Sequence, residues 1–489
     1  MKTTNYSLIP FVGVMCFFVL SCKKGSYATQ DPKPTGTLLI SLTSSDNLIE
    51  ANLYNEPAND KFVGSDFLGF SYEKVSLTDT SLFNKNNVTL INLYKNLGVG
   101  SIRIGGNTVD YTYWSNSLRK SNNIKDSVFK SDIVRFAAFD KLVSWKTIWG
   151  INLGKANVQA MGDETTAVSD NLQDLVGSFA LGNEPDFYYR NKYRTPNYDQ
   201  FSYSKDFKTY SDSIKSVLPK AIFSGPETVG SVYQTQFFND FSSNISLLSG
   251  HYYRMGPAGD TSITIKKLFT PDKDLISMVK GSLTLANTVN MPYRLTETNS
   301  VFNGGQRGIS DAHASAVWGV DFLCLMAKMG VAGVNFHTGN GAVYVYTPIS
   351  QKDNAYFAEP LYYAMLFFHE ASIKRFLKCD VTKGSDKLSI FSFERTDGRI
   401  GFVFVNKDDK ADVSFLLKQD NLIKSISSYT LNGDTFASKT TTNINNSFVS
   451  ANGNFVTEPL VTDLIADDSK NEATTVLVKA HSALLIVLN

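Results

Sequence analysis

The chain has 489 residues, 47 basic and 46 acidic side chains, and a formal net charge of +1. That length suits two or three domains of about 100–200 residues each, and 43% apolar with 19% charged residues excludes a disordered or collagen-like chain. The near-zero charge argues against nucleic acid as the partner, because phosphate binding needs a clustered excess of Lys and Arg.

In chain order, the first segment reads as a signal peptide, residues 1–21. Lys2 supplies the positive start, and the apolar run Leu8–Leu20 is too short for a bilayer span of about 20 residues. It ends in Val19-Leu20-Ser21-Cys22, which resembles a bacterial lipobox. The resemblance implies cleavage before Cys22 and lipidation there. With no Asp after the Cys, it implies anchoring to the outer membrane on its periplasmic or surface face. A plain secretory signal is the alternative. Residues 22–36, polar and carrying Pro32 and Pro34, read as a tether.

Residues 37–60 contain alternating aliphatics (Leu38, Ile40, Leu42) and read as an N-terminal strand in need of a sheet. Over residues 61–372, eight short apolar runs, from Phe67–Tyr72 to Gly333–Phe336, alternate with amphipathic helical patterns such as Val88–Leu97 and Ala312–Met329. The expected fold is therefore α/β, a (β/α)8 barrel. An open doubly wound sheet is the rival, weakened by the lack of a glycine-rich loop after the first strand. Over residues 373–489, short alternating strands separated by turns such as Asn432-Gly433-Asp434 read as a C-terminal β-sandwich, which the N-terminal strand is expected to join.

Function in such a barrel lies at the C-terminal strand ends. Two carboxylates stand there: Glu184, in Asn183-Glu184-Pro185 after the fourth run, and Glu297, after the seventh. Cleavage of a glycosidic bond needs such a pair, one protonated to assist the leaving oxygen and one ionised. Neither a metal nor a cofactor is expected: no Cys/His cluster has zinc spacing, and the chain has five His. Cys324 reads as a core thiol, and its pairing with Cys379 is left open.

Asn-Glu-Pro after strand four and Glu after strand seven resemble the large barrel glycosidase clan that retains anomeric configuration. Within it, Arg103-Ile104-Gly105-Gly106-Asn107-Thr108-Val109-Asp110, His251-Tyr252-Tyr253, Asn335-Phe336-His337-Thr338-Gly339 and Tyr346-Thr347-Pro348-Ile349 resemble glycoside hydrolase family 79, the β-glucuronidases and heparanases. The resemblance implies Glu184 as acid/base and Glu297 as nucleophile, with their carboxyl groups about 5–5.5 Å apart. It implies that Asn183 bonds the sugar 2-hydroxyl and that one of Tyr252 and Tyr253 donates to Glu297. The other tyrosine packs, because neighbouring strand residues face opposite ways.

In Phe302-Asn303-Gly304-Gly305, consecutive glycines let backbone N–H groups converge on an anion. In similar proteins, amides at the positions of Gly304 and Gly305 meet the uronic carboxylate. Phe302 stands where those proteins commonly have Tyr. That removes a hydroxyl, which Tyr344 or Tyr346 could replace, and it suits a 4-O-methylated glucuronate. Arg103 reads as a structural ion-pair partner, Asn107 as scaffold or sugar contact, and His337 as a rim residue or one that backs the residues meeting the sugar, rather than a metal ligand. The expected activity is removal of β-linked glucuronate from oligosaccharides or glycosides. Two alternatives are an endo-acting heparanase-like enzyme, for which Arg190, Lys192, Arg194, Arg254, Lys266 and Lys267 could form a basic rim, and a glycan-binding lipoprotein without catalysis.

Overall fold

The computed structural model describes residues 36–155, 157–419, 425–463 and 474–489. The signal segment, Cys22 and the tether up to residue 35 lie outside them. Among the described residues, no helix is long and apolar enough to cross a membrane.

Eight parallel strands close into a barrel in chain order: Leu68–Glu73, Ser101–Gly105, Lys146–Ile151, Val176–Leu181, Phe223–Gly225, Ile245–Met255, Tyr293–Val301 and Gly333–Thr338. All eight apolar runs become barrel strands. The first, second, seventh and eighth strands are buried along their whole length, as a parallel sheet covered by helices requires, and the seventh carries the polar Thr296–Ser300 into that burial. Several covering helices begin at side-chain caps: Asn87 before Val88–Lys95, Asn157 before Val158–Leu172, Asp199 before Gln200–Val217 and Asp272 before Lys273–Asn287. Each cap satisfies backbone donors that the first helical turn leaves open.

The second layer system is an antiparallel sheet of eleven strands that folds over on itself. The stretch read as one N-terminal strand is a hairpin, Leu38–Ser44 and Glu50–Pro57. Its turn is set by Asn47, at φ +55°, and by the Asn47 N–H donating to the Ser44 carbonyl. The hairpin lies between Ile373–Lys383 and Val413–Gln419. Its buried face (Ile40, Leu42, Ala51, Leu53) joins Phe402, Phe404, Phe415 and Ile486 in a core separate from that of the barrel. Phe404 and Phe415 meet across the two layers with ring centroids 4.9 Å apart. Cys324 and Cys379 are free thiols.

Candidate active site

The fourth strand ends at Leu181, and the chain then turns sharply through Gly182 to Glu184, whose backbone is left-handed at φ +47°. That conformation is costly for a residue with a Cβ and persists only where the surroundings hold it. Asp110 supplies part of the hold. Its carboxylate accepts from the N–H groups of Leu153, Gly154 and Asn183 and from the Tyr188 hydroxyl. The Glu184 N–H donates to the Glu227 carbonyl at 2.7 Å. Glu297 projects from the middle of the seventh strand and is 5% exposed. Oxygens of Glu184 and Glu297, together with a ring nitrogen of His251, lie within 4.8 Å of one another. The two carboxyl groups therefore face the same point, where one bond of a substrate can lie between them.

The two carboxyls sit in opposite environments. Arg103 donates to Glu297 Oε2 at 2.8 Å, Tyr253 donates to Oε1 at 2.9 Å, and His337 lies 3.6 Å away. Burial pushes the Glu297 carboxyl up, but the charges of His337, His251 and Arg103 and the Tyr253 hydroxyl hold it well below the usual carboxylate range. Burial pushes Glu184 up. His251 opposes that, and the neighbouring Glu297 charge adds to it, so the net shift is upward. One carboxyl is thus kept ionised and the other kept ready to hold a proton.

A cleft of about 640 Å³ opens over this pair. Asn107, Tyr253, Phe302, Gly304, Tyr344 and Tyr346 line it with the two glutamates. Asn183 is buried just beneath, its Oδ1 taking 2.7 Å from Arg103 and its Nδ2 reaching Asn107 at 3.3 Å. Gly304 and Gly305 both sit at φ +92°, and a Cβ at Gly304 would lie 2.6 Å from the Val343 carbonyl oxygen. Among the described residues, neither glycine N–H has an acceptor. Phe302 packs edge-on against Tyr253 at 6.4 Å and forms an apolar wall.

Several expectations need correction. Tyr252 points out of the site: its hydroxyl donates to Asp272 at 2.7 Å and its ring stacks on Phe322, so Tyr253 alone serves Glu297. Gly305 lies behind the cleft lining rather than in it. The six basic residues do not form one rim. Arg194 pairs with Asp206 and Arg254 with Asp272, and of the six Arg190 alone lines the cleft. Of the two places expected for His337, it takes the one behind the rim: it is 2% exposed and set between Glu297 and Glu73. Arg103 does more than brace the barrel, since it touches Glu297, Glu227 and Asn183 at once. Gly105 makes room for it: a Cβ there would lie 2.7 Å from the guanidinium carbon.

Sequence reasoning passed over Glu73 and Glu227, and gave His251 a place in a motif but no role. Glu73 ends the first strand and lines the cleft. Glu227 follows the fifth strand, fully buried, with Arg103 at 2.6 Å and His251 at 3.1 Å. The rule that singled out Glu184 and Glu297, a carboxylate just past a barrel strand, applies equally to both. Glu184, His251 and Glu297 could together reach a metal ion. However, His251 spends both ring nitrogens on carboxylates and Glu297 is paired to a guanidinium, an arrangement suited to proton transfer rather than to ligation.

No protein-family model matches the chain. It is 27% identical over 283 residues to a β-glucuronidase of Aspergillus niger, covering 50% of this chain and 52% of that protein. It is 24% identical over 325 residues to a β-glucuronidase of Neurospora crassa, covering 57% and 58%. The chain thus spans about half the length of the curated relatives it matches. In fold it resembles a 4-O-α-L-rhamnosyl-β-D-glucuronidase of Fusarium oxysporum, with a TM-score of 0.71 at 16% identity over 88% of this chain and 99% of that one. It also resembles a family 51 arabinofuranosidase of Xanthomonas axonopodis, with a TM-score of 0.64 at 14% identity over 93% and 100%. In sequence the chain is thus similar, over about half its length, to curated β-glucuronidases, and in fold it is a closed parallel barrel with a β-sandwich, as in these glycosidase structures.

Proposed function

We propose that the protein is a retaining, exo-acting glycoside hydrolase that removes β-linked glucuronic acid, or its 4-O-methyl ether, from glycans or glycosides. The observation that carries this reading is the unequal pair: Glu297 held ionised and Glu184 biased toward its protonated form, with oxygens within 4.8 Å. Glu184 protonates the leaving oxygen while Glu297 attacks the anomeric carbon. Glu184, once deprotonated, then takes a proton from the water that releases the sugar. Loss of the Glu297 charge in the covalent intermediate removes one cause of the raised Glu184 pKa, which favours the base form when it is needed. The N–H group of Gly304, which lines the cleft and has no acceptor among the described residues, supports a carboxylate-bearing sugar. The dispersal of the basic residues favours exo action over a polyanion track.

Two assays test the reading. Aryl β-glucuronide should be turned over far faster than aryl β-glucoside, β-galactoside or β-xyloside; equal rates on glucoside and glucuronide would remove the uronate reading. In Glu184→Ala, azide should release a β-glycosyl azide from an activated substrate, and in Glu297→Ala an α-azide. The reverse pattern would exchange the two roles, and full activity in both variants would move the site elsewhere. Export with lipidation at Cys22 is proposed from the lipobox-like Val19-Leu20-Ser21-Cys22. It requires that Cys22→Ala abolish labelling by a palmitate analogue and partition into detergent.

A further inference from the structure

Glu227 is tied to Glu184 twice. Its carbonyl accepts the Glu184 N–H at 2.7 Å. Its side chain reaches the Glu184 carboxyl through His251, whose Nε2 lies 3.1 Å from Glu227 Oε2 and whose Nδ1 lies 3.0 Å from Glu184 Oε1. Glu227 and His251 are both 0% exposed. Glu227 Oε2 also receives Arg103 Nε at 2.6 Å and the Thr296 hydroxyl at 3.0 Å, while Oε1 is buried with no partner among the described residues. So many donors on one oxygen describe a carboxylate, not a carboxylic acid.

We propose that Glu227 is a positioning residue which, by holding His251 as an imidazolium, fixes the catalytic proton of Glu184 on Oε2, the oxygen free to face the cleft. The proposal rests on the reading of Glu184 as acid/base.

An ionised Glu227 can only accept, so His251 Nε2 must carry a hydrogen. The groups facing His251 are Glu184, Glu227 and Glu297, against the charge of Arg103; Asp186 lies on the far side of Glu184 and His337 on the far side of Glu297. Burial pulls His251 down, but Glu297 and the bonds to Glu184 and Glu227 lift it to about 9. Both ring nitrogens face carboxyl oxygens, and with Glu227 bonded to one and the Glu297 charge close by, Nδ1 also keeps its hydrogen and donates to Glu184 Oε1 whether or not Glu184 holds its own proton. With Oε1 engaged as an acceptor, the proton of Glu184 is left to Oε2, which takes no hydrogen bond from the described residues. A neutral His251 would do the opposite. Its bare Nδ1 would draw the proton into an Oε1–H···Nδ1 bond, turned away from the leaving group.

The substitution to make is Glu227→Gln, which keeps the shape and removes the charge. Phenyl β-glucuronide needs acid assistance and 2,4-dinitrophenyl β-glucuronide needs little. At pH 7.5, kcat/KM for the phenyl substrate should fall by on the order of 10²-fold, with a loss under about threefold for the dinitrophenyl one. The alkaline limb for the phenyl substrate, set on this proposal by loss of the His251 proton, should move down by about one pH unit or more, because Glu227 no longer holds that proton. Equal losses on both substrates with an unmoved limb would reduce Glu227 to a structural role and overturn the proposal. A second measurement needs neither turnover nor a folded variant. With five His in the chain, 15N-histidine NMR of the wild type should show His251 protonated on both nitrogens at pH 7.5. A neutral ring there would overturn the proposal by itself. Failure of the glucuronidase reading looks different: the wild type would cleave neither substrate, with the NMR result unaffected.

Discussion

Replacing Arg103 by Met strips the guanidinium from two buried carboxylates while keeping an apolar stem of similar length. The magnitude follows from Glu227, which Arg103 and then His251 hold at about 2 against an ordinary 4.5, in spite of full burial. At about 1.4 kcal/mol per pH unit, that difference is about 3 kcal/mol of stability at pH 7. A depressed carboxylate contributes stability above its unfolded value and loses it as pH falls through its folded value. The gap between wild type and Arg103→Met should therefore be about 3 kcal/mol or more at pH 7, and it should close between pH 4.5 and pH 2. Glu297, also paired to Arg103 at 2.8 Å, adds to the gap with the same sign. Urea denaturation followed by tryptophan fluorescence at pH 7, 4.5 and 3 measures this directly. A gap that stays constant or widens as the pH falls would refute the account of Arg103 as the counter-charge of the site. So would a variant as stable as the wild type at pH 7.

Three further outcomes follow from the cleft. Tyr253→Phe removes the 2.9 Å bond to Glu297, worth about 1.5–3 kcal/mol to a charged acceptor; the acid limb of kcat/KM should rise by about one pH unit or more, and an unmoved limb would mean the tyrosine only packs. Phe302→Tyr returns a hydroxyl to the apolar wall, so the ratio of activity on unsubstituted to 4-O-methyl glucuronide should rise several-fold, about 1 kcal/mol; an unchanged ratio would place the 4-position elsewhere. Gly304→Ala sets a Cβ 2.6 Å from the Val343 carbonyl at φ +92°. Activity on aryl glucuronide should fall by at least about tenfold while the trace activity on aryl glucoside holds, and parallel losses on both would mark a purely structural glycine.

The barrel was legible because each of its strands is a short apolar run ended by polar residues, a pattern that survives without any knowledge of partners. The helices were less so. Val158–Leu172 carries Gly162 and the pair Thr165-Thr166, which dilute its helical signature. Pro360–Ala371 is apolar on nearly every side because it is buried almost throughout, so it shows no polar face to read. Within the site, Glu184 and Glu297 stood out because their neighbours are unusual. Glu227 did not, since its importance lies in contacts with Arg103, His251 and Thr296 from three other strands. The same limit applies to Tyr252 and Tyr253: alternation shows that they diverge, and the structure alone shows which of them meets Glu297.

The hairpin Leu38–Pro57 makes the barrel, in chain terms, an insertion between the first two strands of the sandwich and the rest. Pro57 pairs with Leu377, so the hairpin must wait for some 320 residues before its neighbour exists. At about 5–20 residues per second that is tens of seconds of synthesis, during which Ile40, Leu42, Ala51 and Leu53 have no core to enter. The waiting strands have two open edges, the arrangement most prone to pair with another chain. Cutting the gene at the barrel–sandwich boundary would make that state permanent. A separable catalytic barrel would therefore have to begin after the hairpin as well as end before Ile373, and the safest handle on this protein is one that keeps both ends of the chain together.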